Sequence, residues 1–170
     1  VLTDTAYFQG EGEHLAAARA ACSLPVLRKD FIVGVSQVEE SRALGADALL
    51  LIAAWLEERS LRTLQSSCAS LGMEALVEVH DVEDLAKALA AGATLVGVNN
   101  RDLSTCRVSL DVSLRLAERI PAGSVRVSES GIGSKSDLER LAKAGYDAFL
   151  VGEALMTGGD RRARLREWLT

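Results

Sequence analysis

The sequence predicts an α/β fold whose parallel sheet curls into a (β/α)8 TIM barrel. Three predicted helices each end at a glycine that is followed by a short apolar segment: ALGADALLLI from Ala43, AAGATLVGV from Ala90 and KAGYDAFLVG from Lys143. Glycine suits the left-handed position after a helix, and a continuous apolar run is typical of a parallel strand covered on both faces. Helices and strands are therefore expected to alternate.

Helix starts support the same alternation. Ser36 with Glu39, and Ser136 with Glu139, match the Ser-x-x-Glu capping box, and Asp81 is a suitable N-cap. Together these signals predict an incomplete barrel of about seven parallel strands, near residues 1–3, 25–28, 47–52, 74–79, 94–98, 124–128 and 147–151. Strict alternation leaves two architectures, an eight-fold barrel and an open doubly wound sheet.

Polar residues occur where four successive strands are predicted to end. They are Lys29 and Asp30, then Glu78 and His80, then Asn99, Asn100 and Arg101, then Ser128, Glu129 and Ser130. A barrel gathers all its strand ends around one mouth, whereas an open sheet concentrates its contacts at one switch point, so the pattern favours the barrel. Alternation along the strand points Glu78 and His80 into the barrel, where Lys29 is the expected partner of the buried carboxylate.

Other interpretations of these residues stay open. Lys29 also fits a lysine that reaches solvent from a strand end, and Glu78 fits a structural ion pair. His80 is better explained as a hydrogen-bonded strand-end residue than as a ligand or base. A metal site is not expected, since no second histidine lies near the Glu-x-His pair.

Composition restricts the class of protein. A hydrophobic fraction of 48% and 2 prolines indicate one globular domain over residues 1–170. The net charge of −5 gives no electrostatic case for nucleic acid or an acidic membrane surface, and no apolar run approaches the roughly 20 residues that span a bilayer. The 3 cysteines lack metal-ligand spacing, so we expect buried free thiols in a reducing, cytoplasmic setting.

Two glycine-containing segments predict a phosphate site. SESGIGS, residues 128–134, and LVGEALM, residues 150–156, each follow one of the last two predicted strands. In eight-fold barrels the loops at these places commonly offer backbone N–H groups to a phosphate. The alternative is two ordinary turns.

Six motifs in register resemble the indole-3-glycerol phosphate synthase family of tryptophan biosynthesis. They are VLTDTAYFQG, PVLRKDFIV, LVEVH, VGVNNRDL, SESGI and FLVGEALM. The resemblance implies a lyase that needs no cofactor and converts 1-(2-carboxyphenylamino)-1-deoxyribulose 5-phosphate into indole-3-glycerol phosphate, CO2 and water. It also implies a strand before residue 1, so that residues 1–170 form a barrel domain truncated at its N-terminus. We therefore expect weak or no activity, and homodimers formed through exposed barrel edges.

The resemblance implies a role for each matching residue. Lys29 is the general acid that protonates the substrate carbonyl, Glu78 stabilises the developing cation and transfers a proton during dehydration, and Asn99 positions the reacting groups. The implied substrate contacts are an apolar wall of Phe8 and Phe31, Arg101 at the anthranilate carboxylate, Glu129 and Ser130 at the sugar hydroxyls, and Gly131, Gly152 and the Glu153 backbone N–H at the phosphate. Because a desolvated amine loses its charge readily, we expect the pKa of Lys29 to be lowered.

Two other functions stay open on the sequence alone. The first is another phosphate-binding barrel enzyme, such as a phosphoribosylanthranilate isomerase, whose reaction does not call for the Lys29, Glu78 and Asn99 set. The second is a non-catalytic folded fragment or assembly module. Product analysis distinguishes the first, and the mass in solution distinguishes the second.

Overall fold

Six parallel strands form one sheet in the order in which they occur along the chain. The computed structural model describes residues 1–157 and 159–170. The strands are β1 (Leu27–Arg28), β2 (Ala48–Ile52), β3 (Glu74–Val79), β4 (Leu95–Asn99), β5 (Val125–Glu129) and β6 (Ala148–Leu150). Sequential order with helical connections is the topology of a (β/α) barrel, and within the described residues β1 and β6 are the two edges of an incomplete one.

Helices connect the strands and cover the outer face of the sheet. They are α1 (Thr5–Phe8), α2 (Gly12–Ala21), α3 (Val35–Ala43), α4 (Glu58–Ser70), α5 (Val82–Ala90), α6 (Asp111–Ala117), α7 (Lys135–Lys143), α8 (Glu153–Met156) and α9 (Arg161–Leu169). A short 3-10 helix, Ala53–Trp55, follows β2. Among the described residues, no helix combines the length and the apolar character that crossing a bilayer requires.

The predicted first strand is the main difference in the sheet. The segment near residues 1–3 forms only an isolated parallel bridge, between Leu2 and Lys29. Three main-chain hydrogen bonds hold it: from the Lys29 N–H to the Val1 carbonyl at 2.8 Å, from the Thr3 N–H to the Lys29 carbonyl at 3.3 Å, and from the Val1 nitrogen to the Leu27 carbonyl at 2.6 Å. The segment stays this short because α1 already begins after Asp4, whose side chain caps it. The part of the chain that the structure describes therefore contains six strands and a bridge beside β1, not seven strands.

Two of the three predicted helix starts were wrong by two residues. Asp81 caps α5 as predicted. The N-cap of α7 is Ser134 rather than Ser136, and that of α3 is Gly34 rather than Ser36. In both helices the residue three positions after the N-cap is not the expected glutamate but an aspartate or a glutamine, whose side chain accepts the N-cap N–H. The side chain three positions after the N-cap therefore fixes the first turn of both helices, and in α7 Ser134 Oγ also accepts the Asp137 N–H.

The three glycines that were predicted to end helices do so. Gly45, Gly92 and Gly145 have φ angles of 92°, 90° and 95°. This left-handed conformation is strained for residues with a Cβ. Each glycine therefore stops its helix and turns the chain into the following strand.

Side chains alternate across the sheet as the pleat requires. Val77 and Val79 face outward into the main core beneath the helices, whereas Leu76 joins a smaller apolar cluster inside the barrel. That inner cluster also contains Leu50, Ile52 and Val127. The inner cluster forms the floor on which the polar strand ends lie.

The buried arginine Arg28 fixes the backbone next to Lys29. The Arg28 side chain donates to Thr3 Oγ1 at 2.9 Å, Asp30 Oδ2 at 2.9 Å, Glu40 Oε2 at 2.8 Å and Ser41 Oγ at 3.0 Å. These partners lie in the first segment, in the turn after β1 and in α3. The contacts therefore lock the backbone on both sides of Lys29.

The expectation of buried thiols holds for one cysteine. Cys68, in α4, is buried, whereas Cys22 and Cys106 are exposed. Cys22 directly follows α2, and Cys106 lies in the loop after β4, so neither has a core-facing position.

Candidate active site

One lysine bridges two buried carboxylates at the strand ends. Lys29 Nζ donates to Glu78 Oε2 at 2.8 Å and to Glu129 Oε2 at 3.1 Å. Lys29 follows β1, whereas the carboxylates come from β3 and β5, so the curl of the sheet brings residues 100 positions apart into contact. Each glutamate is 1% exposed. The predicted pairing of Lys29 with Glu78 is confirmed, and Glu129 is a second partner.

Asn99 completes the cluster from the end of β4. Its Nδ2 donates to Glu78 Oε1 at 3.0 Å, and its Oδ1 accepts the Arg101 N–H at 3.0 Å. The two contacts fix which way the amide points. Glu78 therefore contacts both of the other residues predicted to be catalytic, Lys29 and Asn99.

The charges in this cluster differ from the expected ones. Burial would lower the pKa of Lys29, but the negative charges of Glu129 and Glu78 outweigh it and raise that pKa. The expectation of a lowered lysine pKa was therefore wrong. The lysine is held as an ammonium at neutral pH.

The pKa values of the Glu78 and Glu129 carboxyl groups are shifted in opposite directions. Burial opposes the ionisation of Glu78, but the contact with His80, the charge of Lys29 and hydrogen bonds from Lys29 and Asn99 hold its pKa at about 2. Burial raises the pKa of Glu129 to about 7 despite Lys29, and Glu78 adds repulsion. At neutral pH the site thus contains one fully ionised carboxylate and one that titrates, an arrangement that suits acid and base steps.

His80 lies on the other side of Glu78. Its Nε2 is 3.3 Å from Glu78 Oε1, and its Nδ1 is 3.5 Å from Asp84 Oδ2. Burial would lower the pKa of His80, but these two carboxylates raise it to about 9. The strand-end interpretation of His80 is correct in position, although its contacts are charge pairs rather than aligned hydrogen bonds.

Protonation of Glu129 and His80 predicts the pH dependence of stability. Each has a folded-state pKa above its ordinary value, 4.5 for Glu129 and 6.5 for His80. The folded chain therefore binds more protons than the unfolded chain. The stabilisation from each group is complete below its ordinary pKa and is lost as the pH rises through its folded-state pKa, about 7 for Glu129 and about 9 for His80. We expect the free energy of unfolding to fall between about pH 5 and pH 9, by at most about 1.4 kcal/mol per pH unit for each group.

Urea unfolding at a series of pH values measures this slope. The variant Glu129→Gln should flatten the part between about pH 5 and pH 7 because it removes the titrating carboxyl. A free energy of unfolding that rises over this interval would contradict the assigned protonation states.

A glycine beneath Glu129 is a site residue that the sequence reasoning missed. A Cβ on Gly97, in β4, would lie within van der Waals overlap of Glu129 Oε1, at 2.1 Å. The absent side chain therefore makes the space for the carboxylate. A glycine inside an apolar strand is a recognised sign of such a close approach, and this signal is present in LVGVN.

Four aromatic side chains line the mouth near α1 and β2. Phe31 stacks on Trp55 with ring centroids 4.7 Å apart, meets Tyr7 edge-on at 5.8 Å, and lies 6.2 Å from Phe8. Phe8 and Phe31 were predicted, whereas Tyr7 and Trp55 were missed. Trp55 is 53% exposed. The sequence signal for Trp55 was a tryptophan shortly after a predicted strand. The four aromatic side chains form a surface that suits a planar ring.

The two glycine-containing segments meet around a cavity of about 810 Å³. The predicted site residues that line it are Phe8, Lys29, Arg101, Glu129, Ser130, Gly131, Gly152 and Glu153. Across its rim, Arg101 Nη2 donates to Glu153 Oε2 at 2.7 Å. The Glu153 carboxylate thus neutralises the arginine expected to bind a substrate carboxylate.

The buried Asn100 amide holds the turn at Ser130, which lines this cavity. Asn100 Nδ2 donates to the carbonyl oxygens of Glu129 and Ser130 at 3.0 and 3.1 Å, and to Ser128 Oγ at 3.1 Å. Ser130 has a φ of 64°, so its backbone is in the left-handed region. The Asn100 contacts hold this turn in place at the end of β5.

Comparison with known proteins decides the family. A family model described as indole-3-glycerol phosphate synthase matches residues 1–168. The chain belongs to this family. Its indole-3-glycerol phosphate synthase relatives include those of Polaromonas naphthalenivorans, 50% identical over 98% of this chain, and Rhizorhabdus wittichii, 49% identical over 100% of it. The chain spans 64% of the length of each of these two relatives.

More distant solved structures share the fold with this member of the indole-3-glycerol phosphate synthase family. The 3-hexulose-6-phosphate synthase of Salmonella typhimurium has a TM-score of 0.83 at 16% identity, over 98% of this chain and 82% of that one. The 3-keto-L-gulonate-6-phosphate decarboxylase of Vibrio cholerae has a TM-score of 0.75 at 14% identity, over 99% and 82%. At this identity the likeness concerns the barrel architecture alone.

Proposed function

We propose that this chain provides the site for closure of the indole ring, in which 1-(2-carboxyphenylamino)-1-deoxyribulose 5-phosphate becomes indole-3-glycerol phosphate, CO2 and water. The observation that supports this most strongly is the Lys29 bridge to Glu78 and Glu129, since it places an ammonium between an ionised carboxylate and a titrating one. Family membership agrees with it.

The first step follows from the charge on Lys29. Its ammonium donates a proton to the substrate carbonyl oxygen while the carboxylate-bearing ring carbon attacks the carbonyl carbon, which forms the new carbon–carbon bond. Loss of CO2 then returns an electron pair to the ring. The raised pKa keeps Lys29 protonated for this role.

Glu78 acts in the dehydration that follows. The hydroxyl formed in the first step takes a proton from the Glu129 carboxyl, whose pKa is raised to about 7, and leaves as water. The nitrogen lone pair stabilises, through the ring, the cation that remains. An anionic Glu78 stabilises this cation and accepts the carbon-bound proton that restores the aromatic indole. Asn99 holds Glu78 Oε1 in place throughout.

The mouth has a suitable surface for each part of this substrate. The wall of Tyr7, Phe8, Phe31 and Trp55 fits the anthranilate ring. Arg101 exchanges Glu153 for the anthranilate carboxylate, which accepts a guanidinium fork.

Residues that line the cavity contact the sugar and phosphate end of the substrate. Glu129 and Ser130 face the sugar hydroxyls, and Gly131, Gly152 and the backbone N–H of Glu153 face the phosphate. Glycines at these two positions let the backbone approach the phosphate closely.

A fluorescence assay tests the reaction. Substrate is added to an excess of the chain, and the indole product is followed by its emission and identified by mass. We expect slow product formation, because no strand of the described residues lies between Leu2 and β6, so water reaches the cavity on that side. An isomerised substrate that retains its carboxyl group would instead indicate a phosphoribosylanthranilate isomerase.

Exposed edges favour a second proposal, that two copies of the chain pair. Within the described residues, β6 pairs only with β5, and Val1 and Leu2 are 38% and 39% exposed beside the other edge. Unpaired edges with apolar side chains are sites of strand addition. Light scattering that gives the mass of two chains would support a dimer, and a monomer mass at high concentration would contradict it.

We also propose that the chain works in a reducing compartment. All three cysteines are unpaired although two are exposed, which fits a reducing compartment such as the cytoplasm.

A further inference from the structure

We propose that His80, anchored by Asp84, is a positioning residue that keeps the Glu78 carboxylate ionised and aimed at the mouth. The predicted effect of His80 on turnover rests on the proposed function, whereas its effect on the ionisation of Glu78 does not. Its structural basis is a continuous row of alternating charges, Lys29, Glu78, His80 and Asp84, that runs from the mouth to the start of α5.

The contacts divide the two oxygens of Glu78 between different partners. Oε2 accepts from Lys29, whereas Oε1 accepts from Asn99 and lies 3.3 Å from His80 Nε2. The Glu78 side chain is 2% exposed and that of His80 is 15% exposed, so little water screens this pair. His80 is thus the second cation in contact with a carboxylate that the reaction needs as an anion.

Asp84 contacts the His80 imidazole at Nδ1, the ring nitrogen that does not face Glu78. Asp84 Oδ2 lies 3.5 Å from His80 Nδ1 and accepts the His80 backbone N–H at 3.2 Å. Asp84 is in the first turn of α5, where Asp81 caps its N–H and the helix dipole favours a carboxylate. Lys87 Nζ, 3.6 Å from Asp84 Oδ1, adds a further cation. Rigid elements therefore define the position of the ring on both sides.

Other charged groups share the cavity that His80 faces. They are Asp81 and Asp84 from the start of α5, and Arg101, Asp102, Arg107 and Arg115 from the segment that follows β4 and from α6. None of these arginines is paired with Glu78 or Asp84 in the described part of the chain. His80 is therefore the cation placed between the two carboxylates.

The reaction explains why a second cation is useful. When Lys29 transfers its proton to the substrate, Glu78 loses the positive charge beside Oε2. A protonated His80 still faces Oε1, so Glu78 stays ionised for the dehydration step. His80 acts here through Glu78 and touches no reacting atom.

Nuclear magnetic resonance can observe both residues directly. The chain has 2 histidines, His14 and His80, so His14→Gln assigns the two imidazole signals. We expect the His80 signal to titrate at about pH 9, and Asp84→Asn to lower its midpoint. The Glu78 side-chain carbon, assigned with Glu78→Gln, should titrate at least about one unit higher in His80→Gln, since an opposite charge at this distance lowers a carboxyl pKa by about 1 to 3 units.

These readouts do not depend on turnover, so they decide the proposal even if the proposed reaction fails. A His80 midpoint that Asp84→Asn leaves unchanged would overturn the anchoring. A Glu78 midpoint that His80→Gln leaves unchanged would overturn the positioning role.

Turnover adds a kinetic test. In an active chain, His80→Gln should lower kcat with little change in KM and should move the acid limb of the pH–rate profile upward. His14→Gln makes the same chemical change at the exposed histidine of α2 and should leave both unchanged. An unaltered kcat and acid limb in His80→Gln would overturn the role.

Discussion

Replacement of Lys29 by alanine is expected to lower the rate of ring closure by about 10²- to 10⁴-fold, the usual contribution of a general acid. The same change should lower the free energy of unfolding at neutral pH by about 3 to 5 kcal/mol, because it leaves two buried carboxylates without their shared cation. The exposed Lys143→Ala should change stability by less than about 0.5 kcal/mol.

The two effects of Lys29 can be separated. Lys29→Arg keeps a positive charge between the carboxylates but holds its proton far more tightly, so it should restore most of the stability and little of the activity. In Lys29→Ala, the loss of stability should be smaller at about pH 5, where Glu129 is protonated. Equal stability of wild type and Lys29→Ala at neutral pH would show that Lys29 does not stabilise the buried negative charges of Glu78 and Glu129.

Replacement of Gly97 by alanine is expected to displace Glu129 from the cluster. The new Cβ would overlap Glu129 Oε1, at 2.1 Å, and crowd Leu76 Cδ1 at 3.2 Å. Overpacking of this kind usually costs about 1 to 3 kcal/mol. We also expect turnover to fall, since the displaced carboxylate loses its contact with Lys29.

Gly123→Ala is the matched control for this change. A Cβ at Gly123 would have no atom within 4 Å, so the substitution adds the same methyl group without a clash. Urea unfolding compares the two variants, and the carbon signal of Glu129 reports its environment. If Gly97→Ala matched Gly123→Ala in stability and turnover, the space above Gly97 would not matter to the site.

The sequence predicts the placement of the main site residues because simple geometry governs it. The ends of parallel strands meet at one mouth, and alternation along β3 sends Glu78 and His80 inward while Val77 and Val79 meet the helices. No tertiary information is needed to reach the pairing of Lys29 with Glu78.

The protonation states required three-dimensional contacts. Burial of Lys29 was foreseeable, but its pKa is set by carboxylates from β3 and β5 that converge on it. Two carboxylates around one amine reverse the effect that desolvation has on a lysine alone. The sequence does not reveal this balance.

The missed residues share another cause. Neither Trp55 nor Gly97 has a side chain of a type that suggests acid–base catalysis, yet Trp55 offers a ring surface and Gly97 offers space. Polar strand ends identify the other site residues, whereas β2 ends in an apolar segment that gives no such signal. Shape contributes to this site as much as charge does.

We propose that Lys29, held by Glu78 and Glu129, is the acid that closes the indole ring. A single-turnover assay with wild type, Lys29→Arg and Lys29→Ala tests it most directly, with binding of the substrate followed by quenching of Trp55 fluorescence. We expect all folded variants to bind the substrate and only the wild type to form the indole product at a measurable rate. Product formed as fast by Lys29→Arg or Lys29→Ala as by the wild type would contradict this role of Lys29.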